Sequence, residues 1–379
     1  MIQDKHECKQ RHRWHNHVHP AYSIHGDILN IKIREGRNIM VQHIVKGERR
    51  PSCVLKNVNS LYVDSNTSQV PVKCNQCVSE NIVIDKIVKS SEIHEVETSP
   101  IVSGTSPTRN VIFFIHGVGG SSKLWQHQIE YFYQGDYEIV VPDLLGHGLS
   151  SAPRPRKAYT FTEIANDVLA LFDKFAKEKN ILVGHSYGCS FCTKVACERS
   201  NQVSKLILIS GGGPQSLEPQ PCQIFCLPVW ILSCIKPIIV NGFTKRAFKD
   251  PKKQSQSDKD NSFNAPVNIL HAMMKGQDWA EGNKSYHAEI NTPVLLIYGM
   301  QDQFISLYEE DEMVKTIPNC KLETVEAGHM VMLEEPDKVN DLIKDFIDNN
   351  LFEWSEVETP PDAYTPVKLS NTTSNSTFQ

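Results

Sequence analysis

The sequence predicts an α/β protein built on a mostly parallel, doubly wound sheet, with a helical cap inserted after the sixth strand. Three observations carry this expectation. Five short runs, VIFFIHG, YEIVVPD, NILVGHS, SKLILISG and TPVLLIYG, are almost wholly apolar, as strands buried on both faces must be. Segments with apolar residues three and four apart, such as FTEIANDVLALFDKFA, lie between the first four of them. Strands alternating with helices can close a hydrophobic core by laying a parallel sheet between two helical layers.

The elements follow in order along 379 residues with a formal charge of −5. Residues 1–26 form a flexible arm carrying six of the 15 histidines. Residues 27–46, DILNIKIREGRNIMVQHIVK, alternate apolar and polar on both sides of Glu35-Gly36 and read as a β-hairpin. Residues 47–108 are rich in Ser, Thr, Asn and Val without periodicity, which marks a low-order insertion. Residues 109–211 supply the first half of the core, 212–290 the cap and 291–352 the second half. The tail 353–379 has a disordered composition.

The cap contains IFCLPVWILSCIKPIIV, residues 224–240, interrupted by Lys236 and two prolines. A membrane-spanning helix needs about 20 apolar residues, so this stretch reads as a cap helix over the site. A second reading makes it an apolar lid that touches a membrane or lipid droplet. The chain lacks the basic face that nucleic acid requires. Its N-terminus has no apolar stretch resembling a signal peptide, and Cys189, Cys192 and Cys197 on one helix cannot all be bridged. Together these indicate a reducing, cytoplasmic setting with peripheral membrane contact at most. Cys74 and Cys77 have the spacing of half a zinc site, but no second pair follows, so no metal is expected.

The chemistry concentrates at strand ends. Gly184-His185-Ser186-Tyr187-Gly188 lies between a buried strand and a helix, the setting of a nucleophile elbow. A serine hydroxyl is a poor nucleophile at neutral pH and needs a base, an orienting acid and an oxyanion hole. The strand NVIFFI runs into His116-Gly117-Val118-Gly119-Gly120, which puts the backbone N–H groups of Val118 and Tyr187 forward as oxyanion donors. Asp302, just past the strand PVLLIYG, is the candidate acid, and His329 in AGHMVMLEEP the candidate base. Ser186, Asp302 and His329 come in the order Ser, Asp, His expected of this chemistry on an α/β sheet. His147 and His185 are competing bases without an assigned acid. No cofactor is needed.

The chain resembles the α/β-hydrolase superfamily over about residues 110–350, with 143–150, DLLGHGLS, similar to its structural D-x-x-G-x-G-x-S turn. More narrowly, IREGRNIMVQHI, IFFIHGVGGSS, HAMMKGQDWAEG and AGHMVMLEEP resemble the abhydrolase domain-containing protein 8 family. That resemblance implies a serine-hydrolase site, with monoacylglycerol lipases and lysophospholipid-type lipases among its relatives. The expected function is therefore hydrolysis of carboxylic esters, lipid acyl esters above all. One alternative is an adaptor that keeps the fold and binds protein partners through its flexible ends. Another is a lipid acyltransferase, although Glu334 stands where relatives with His-x-x-x-x-Asp carry aspartate.

Overall fold

The computed structural model describes residues 26–46, 110–135, 137–219 and 224–349. The expectations for the histidine-rich arm, the 47–108 insertion, Cys74 and Cys77, and the C-terminal tail fall outside these residues. Among the described residues eight strands form one sheet: β1 (Asp27–Arg34), β2 (Arg37–Ile44), β3 (Asn110–Ile115), β4 (Tyr137–Pro142), β5 (Asn180–His185), β6 (Val203–Ile209), β7 (Val294–Gly299) and β8 (Cys320–Val325). Their order is β1-β2-β4-β3-β5-β6-β7-β8. From β4 to β8 every pairing is parallel, and the hairpin β1–β2 adds antiparallel to β4.

Burial explains the apolar runs. All six residues of β4, β5 and β7 are buried, because helices cover both faces. One face packs on α2 (Phe161–Phe175) and α3 (Tyr187–Glu198), with Phe161, Phe172 and Phe191 fully buried. The opposite face packs on α1 (Gln126–Gln134) and the helix Pro336–Asp348, with Trp125, Phe132 and Phe346 at its centre. Strand β2 alternates buried and half-buried positions, as a strand near an edge should. The hairpin turn puts Gly36 at φ 71°, where a side chain would be strained.

Order along the sheet reverses between β3 and β5: β4 lies on one side of the pair and β6 to β8 on the other. Loops leaving the carboxyl ends of the strands diverge there and open a crevice. Between β6 and β7 the described residues include the α-helices α4 (Val229–Ala247), α5 (Gln256–Ser262), α6 (Val267–Lys275) and α7 (Lys284–Ala288). The stretch 224–240 is not one helix, as the sequence suggested. Ile224–Cys226 is a short 3₁₀ turn, and the helix begins after Pro228 because the residue before a proline avoids the helical region. The helix then runs past 240 to Ala247 and accommodates Pro237. Among the described residues no helix is long and apolar enough to cross a membrane.

Candidate active site

Strand β5 ends at His185, helix α3 starts at Tyr187, and Ser186 alone makes the turn, with φ 51° and ψ −126°. Such a conformation costs a non-glycine residue on the order of 1–3 kcal/mol and persists only where surrounding structure enforces it. Here the enforcement is backbone contact on both sides. The Ser186 N–H donates to the Ile209 carbonyl at 3.0 Å. A Cβ at Gly188 would stand 2.3 Å from the Ile115 carbonyl oxygen, so α3 can lie against β3 only with glycine there.

The loop after β3 runs beside this turn. A Cβ at Gly117 would meet the Ser186 Oγ at 3.4 Å, which places the loop backbone next to the hydroxyl. Two histidines brace that loop from below. His116 donates from Nδ1 to the Gly117 carbonyl (2.8 Å) and accepts the Leu144 N–H at Nε2 (2.9 Å). His147 accepts the Gly119 N–H at Nε2 (3.1 Å) and donates from Nδ1 to the Leu145 carbonyl (3.0 Å). Val118, between the two braced glycines, lines the cavity in front of Ser186. Tyr187 occupies the first position of α3, where an N–H has no intrahelical acceptor.

Asp302 follows β7 and splits its carboxylate between two tasks. Oδ1 accepts the N–H groups of Phe304 (2.7 Å) and Ile305 (3.0 Å), and Oδ2 lies 2.8 Å from Nδ1 of His329. Burial pushes this carboxyl up, but the His329 and backbone hydrogen bonds outweigh it and hold it below the usual value. With Asp302 ionised, Nδ1 of His329 carries the proton and Nε2 is free to act as a base. His329 sits between β8 and the short helix α9 (Val331–Glu334), and its loop is pinned twice. His185 donates from Nε2 to the His329 carbonyl at 3.0 Å. Glu334 accepts the Gly328 N–H (2.6 Å) and the Lys249 N–H (2.8 Å), joining the histidine loop to the end of the cap.

The three sequence candidates are thus brought to one place: Asp302 bonds His329, and His329 and Ser186 line the same cavity. His147 and His185 are not free bases. Burial, then the neighbouring His116, pushes His147 down to about 3; burial, then His329, does the same to His185, to about 3. Burial also takes His116 down to about 4, against its bond to the Gly117 carbonyl. All three are neutral bracing groups at neutral pH. His116 was not singled out from the sequence, although its place at the end of β3 was the available signal.

The cavity measures about 510 Å³ and reaches from Ser186 and His329 into the cap. Phe225, Ile239, Phe243, Phe263 and Met274 supply apolar walls from the cap side, and Phe304 faces them from the acid loop. Arg246 ties the two together: its guanidinium lies 4.5 Å over the Phe304 ring and donates to the Gln303 carbonyl. The D-x-x-G-x-G-x-S turn is structural, since Asp143 accepts the N–H groups of Ser122 (2.7 Å) and Leu149 (2.9 Å).

Residues 106–337, more than half of the chain, match the family described as "Serine aminopeptidase, S33". The chain belongs to this family of α/β hydrolases. Within the family it is 47% identical over 240 residues to Protein ABHD8 of Mus musculus, a match covering 62% of this chain and 55% of that protein. The chain thus spans about half the length of this relative. The fold is shared with the enol-lactonase of Burkholderia xenovorans LB400 (TM-score 0.56, 18% identity, 64% of this chain and 92% of that one). An esterase from Exiguobacterium antarcticum is equally similar (TM-score 0.55, 20% identity, 64% and 93%).

Proposed function

We propose that the protein is a serine hydrolase that cleaves carboxylic esters of hydrophobic acyl chains through an acyl-enzyme intermediate. The observation that carries this reading is the His329–Asp302 pair at 2.8 Å, with His329 lining the same largely apolar cavity as Ser186. In this reading Ser186 Oγ attacks the ester carbonyl carbon while its proton passes to Nε2 of His329. Charge builds on the carbonyl oxygen and is received by the N–H groups of Val118 and Tyr187. The tetrahedral intermediate collapses, the alkoxide leaves with the proton from His329, and an acyl-Ser186 ester remains. Water, deprotonated by His329, then attacks that ester and releases the acid, restoring Ser186.

The cap supports a lipid acyl substrate. Besides its apolar inner wall it exposes Trp230 (69%) on α4, apolar area suited to reversible contact with a lipid surface. Glu334 is engaged by two backbone N–H groups at the cap end, a structural use that leaves hydrolysis favoured over acyl transfer. The test compares monoacylglycerols, lysophospholipids and short water-soluble esters on the purified protein. Each buried methylene contributes roughly 0.8 kcal/mol, so decanoyl esters should exceed butanoyl esters by well over tenfold in kcat/KM. Trp230→Ser should weaken liposome binding. Butanoyl esters winning, with liposome binding unaltered, would leave a small-ester hydrolase.

A further inference from the structure

The cavity in front of Ser186 carries an uncompensated charge on its wall. Among its described lining residues Arg246 is the only lysine or arginine, and none is an aspartate or glutamate. Arg246 lies in the last turn of α4, is exposed, and has no ion-pair partner among the described residues. A guanidinium has five N–H donors. One nitrogen, Nη2, donates to the Gln303 carbonyl at 2.7 Å, and the group lies over the Phe304 ring. These contacts hold the guanidinium in place but leave its charge unneutralised and other donors open. The carboxylate of the same loop, Asp302, is taken up by His329 and two backbone N–H groups.

The position of this cation relative to the base gives it a meaning. Phe304 belongs to the loop between β7 and α8 (Leu307–Thr316), and its ring touches both Arg246 (4.5 Å) and His329 (5.0 Å). The guanidinium therefore stands one aromatic ring away from the imidazole. In acyl transfer the base hands its proton to the departing oxygen, so the leaving group starts its exit at His329. Arg246 is the charged side chain next along that wall. Phe304 is 38% exposed, so an anion placed beside it keeps much of its hydration and meets the cation without the cost of burial.

We infer that Arg246 is the specificity-determining residue for the leaving group, and that the leaving group carries a net negative charge, a phosphate or a carboxylate a few bonds from the ester oxygen. This rests on the ester-hydrolase reading and narrows it. The guanidinium fork can donate two parallel N–H bonds to either anion. A neutral head leaves the cation unmatched, and a zwitterionic head brings a second cation with its anion. A latch between cap and acid loop would need only the Gln303 and Phe304 contacts, so the two roles separate in substrate ratios.

The first readout is kcat/KM for esters that share a decanoyl chain: 1-decanoylglycerol (neutral), its 3-phosphate and 4-decanoyloxybutanoate (anionic), and 1-decanoyl-glycerophosphocholine (zwitterionic). In wild type the anionic esters should exceed the neutral one by about tenfold, chiefly through KM, because the contact forms on binding and persists through the reaction. A gain by the phosphate ester alone would support the site and assign it to phosphate. Raising the salt to about 0.5 M should shrink the advantage several-fold. Arg246→Met should bring the anionic-over-neutral ratio close to unity, and Arg246→Lys should keep part of it. The second readout is calorimetric binding of the non-hydrolysable 1-O-decylglycerol 3-phosphate against 1-O-decylglycerol. Wild type should bind the phosphate about tenfold more tightly, and Arg246→Met should lose that margin. If the ethers show this order while no ester is turned over, the anion subsite stands and the hydrolase reading falls. Equal ether affinities, a preference for the zwitterion, a salt-independent ratio in wild type, or a ratio unmoved in Arg246→Met would overturn the inference.

Discussion

Asp302 illustrates how much one side chain settles at the residue scale. Its Oδ1 organises the turn through Phe304 and Ile305, while Oδ2 orients His329. Asp302→Asn keeps an acceptor for the turn but can set an amide N–H against Nδ1–H, which favours the other imidazole tautomer and puts the proton on Nε2. Ester turnover should drop by about 10⁴ with the unfolding midpoint little changed. Wild-type rates in this variant would mean that another group orients His329. The residues legible in the sequence, Ser186, Asp302 and His329, share one property: each sits beside a strand end marked by local turn residues. Arg246 lacked any such mark. It lies in Lys245-Arg246-Ala247-Phe248-Lys249, which reads as the solvated basic end of a helix, and only packing shows that the second of these residues lines the cavity.

At the scale of elements, the hairpin was legible from its alternation, but its docking was not. Arg37, at the start of β2, reaches 130 residues along the chain to Asp167 on α2, with its Nε 2.8 Å from Oδ1 and a second nitrogen on Oδ2. It also donates to the carbonyls of Ala158 and Glu163. Both partners are buried, and nothing local in either sequence segment announces the pair. Arg37→Met leaves a buried carboxylate without its cation and should cost about 3–5 kcal/mol in urea unfolding. Adding Asp167→Leu should restore most of that loss. A single substitution costing under about 1 kcal/mol would show that the hairpin is held by β2–β4 pairing alone. The start of α4 was likewise illegible from hydropathy, because Pro228 decides it rather than the apolar run.

The whole molecule depends on three histidines kept neutral behind the site. His116, His147 and His185 hold the Gly117–Gly120 loop and the His329 loop through bonds that need specific tautomers. Their values in the folded protein, about 4, 3 and 3, lie below the 6.5 of an exposed histidine. Above pH 6.5 both states are neutral and stability is at its full value. As pH falls below 6.5 the unfolded chain takes up protons that the folded one refuses, so stability is lost towards the folded values. The slope approaches about 1.4 kcal/mol per pH unit for each histidine. Urea unfolding between pH 7 and 5 should therefore show a steep decline, and a flat profile would contradict the bracing role.

The central claim is that Ser186 is a nucleophile activated by His329, and covalent capture tests it most directly. A fluorophosphonate should label the folded protein stoichiometrically, with the adduct located on Ser186 by peptide mass. Labelling should vanish in Ser186→Ala and slow by several orders of magnitude in His329→Ala, as expected when a serine loses its base. Folded protein that stays unlabelled, or that labels equally well after Ser186→Ala, would contradict the account.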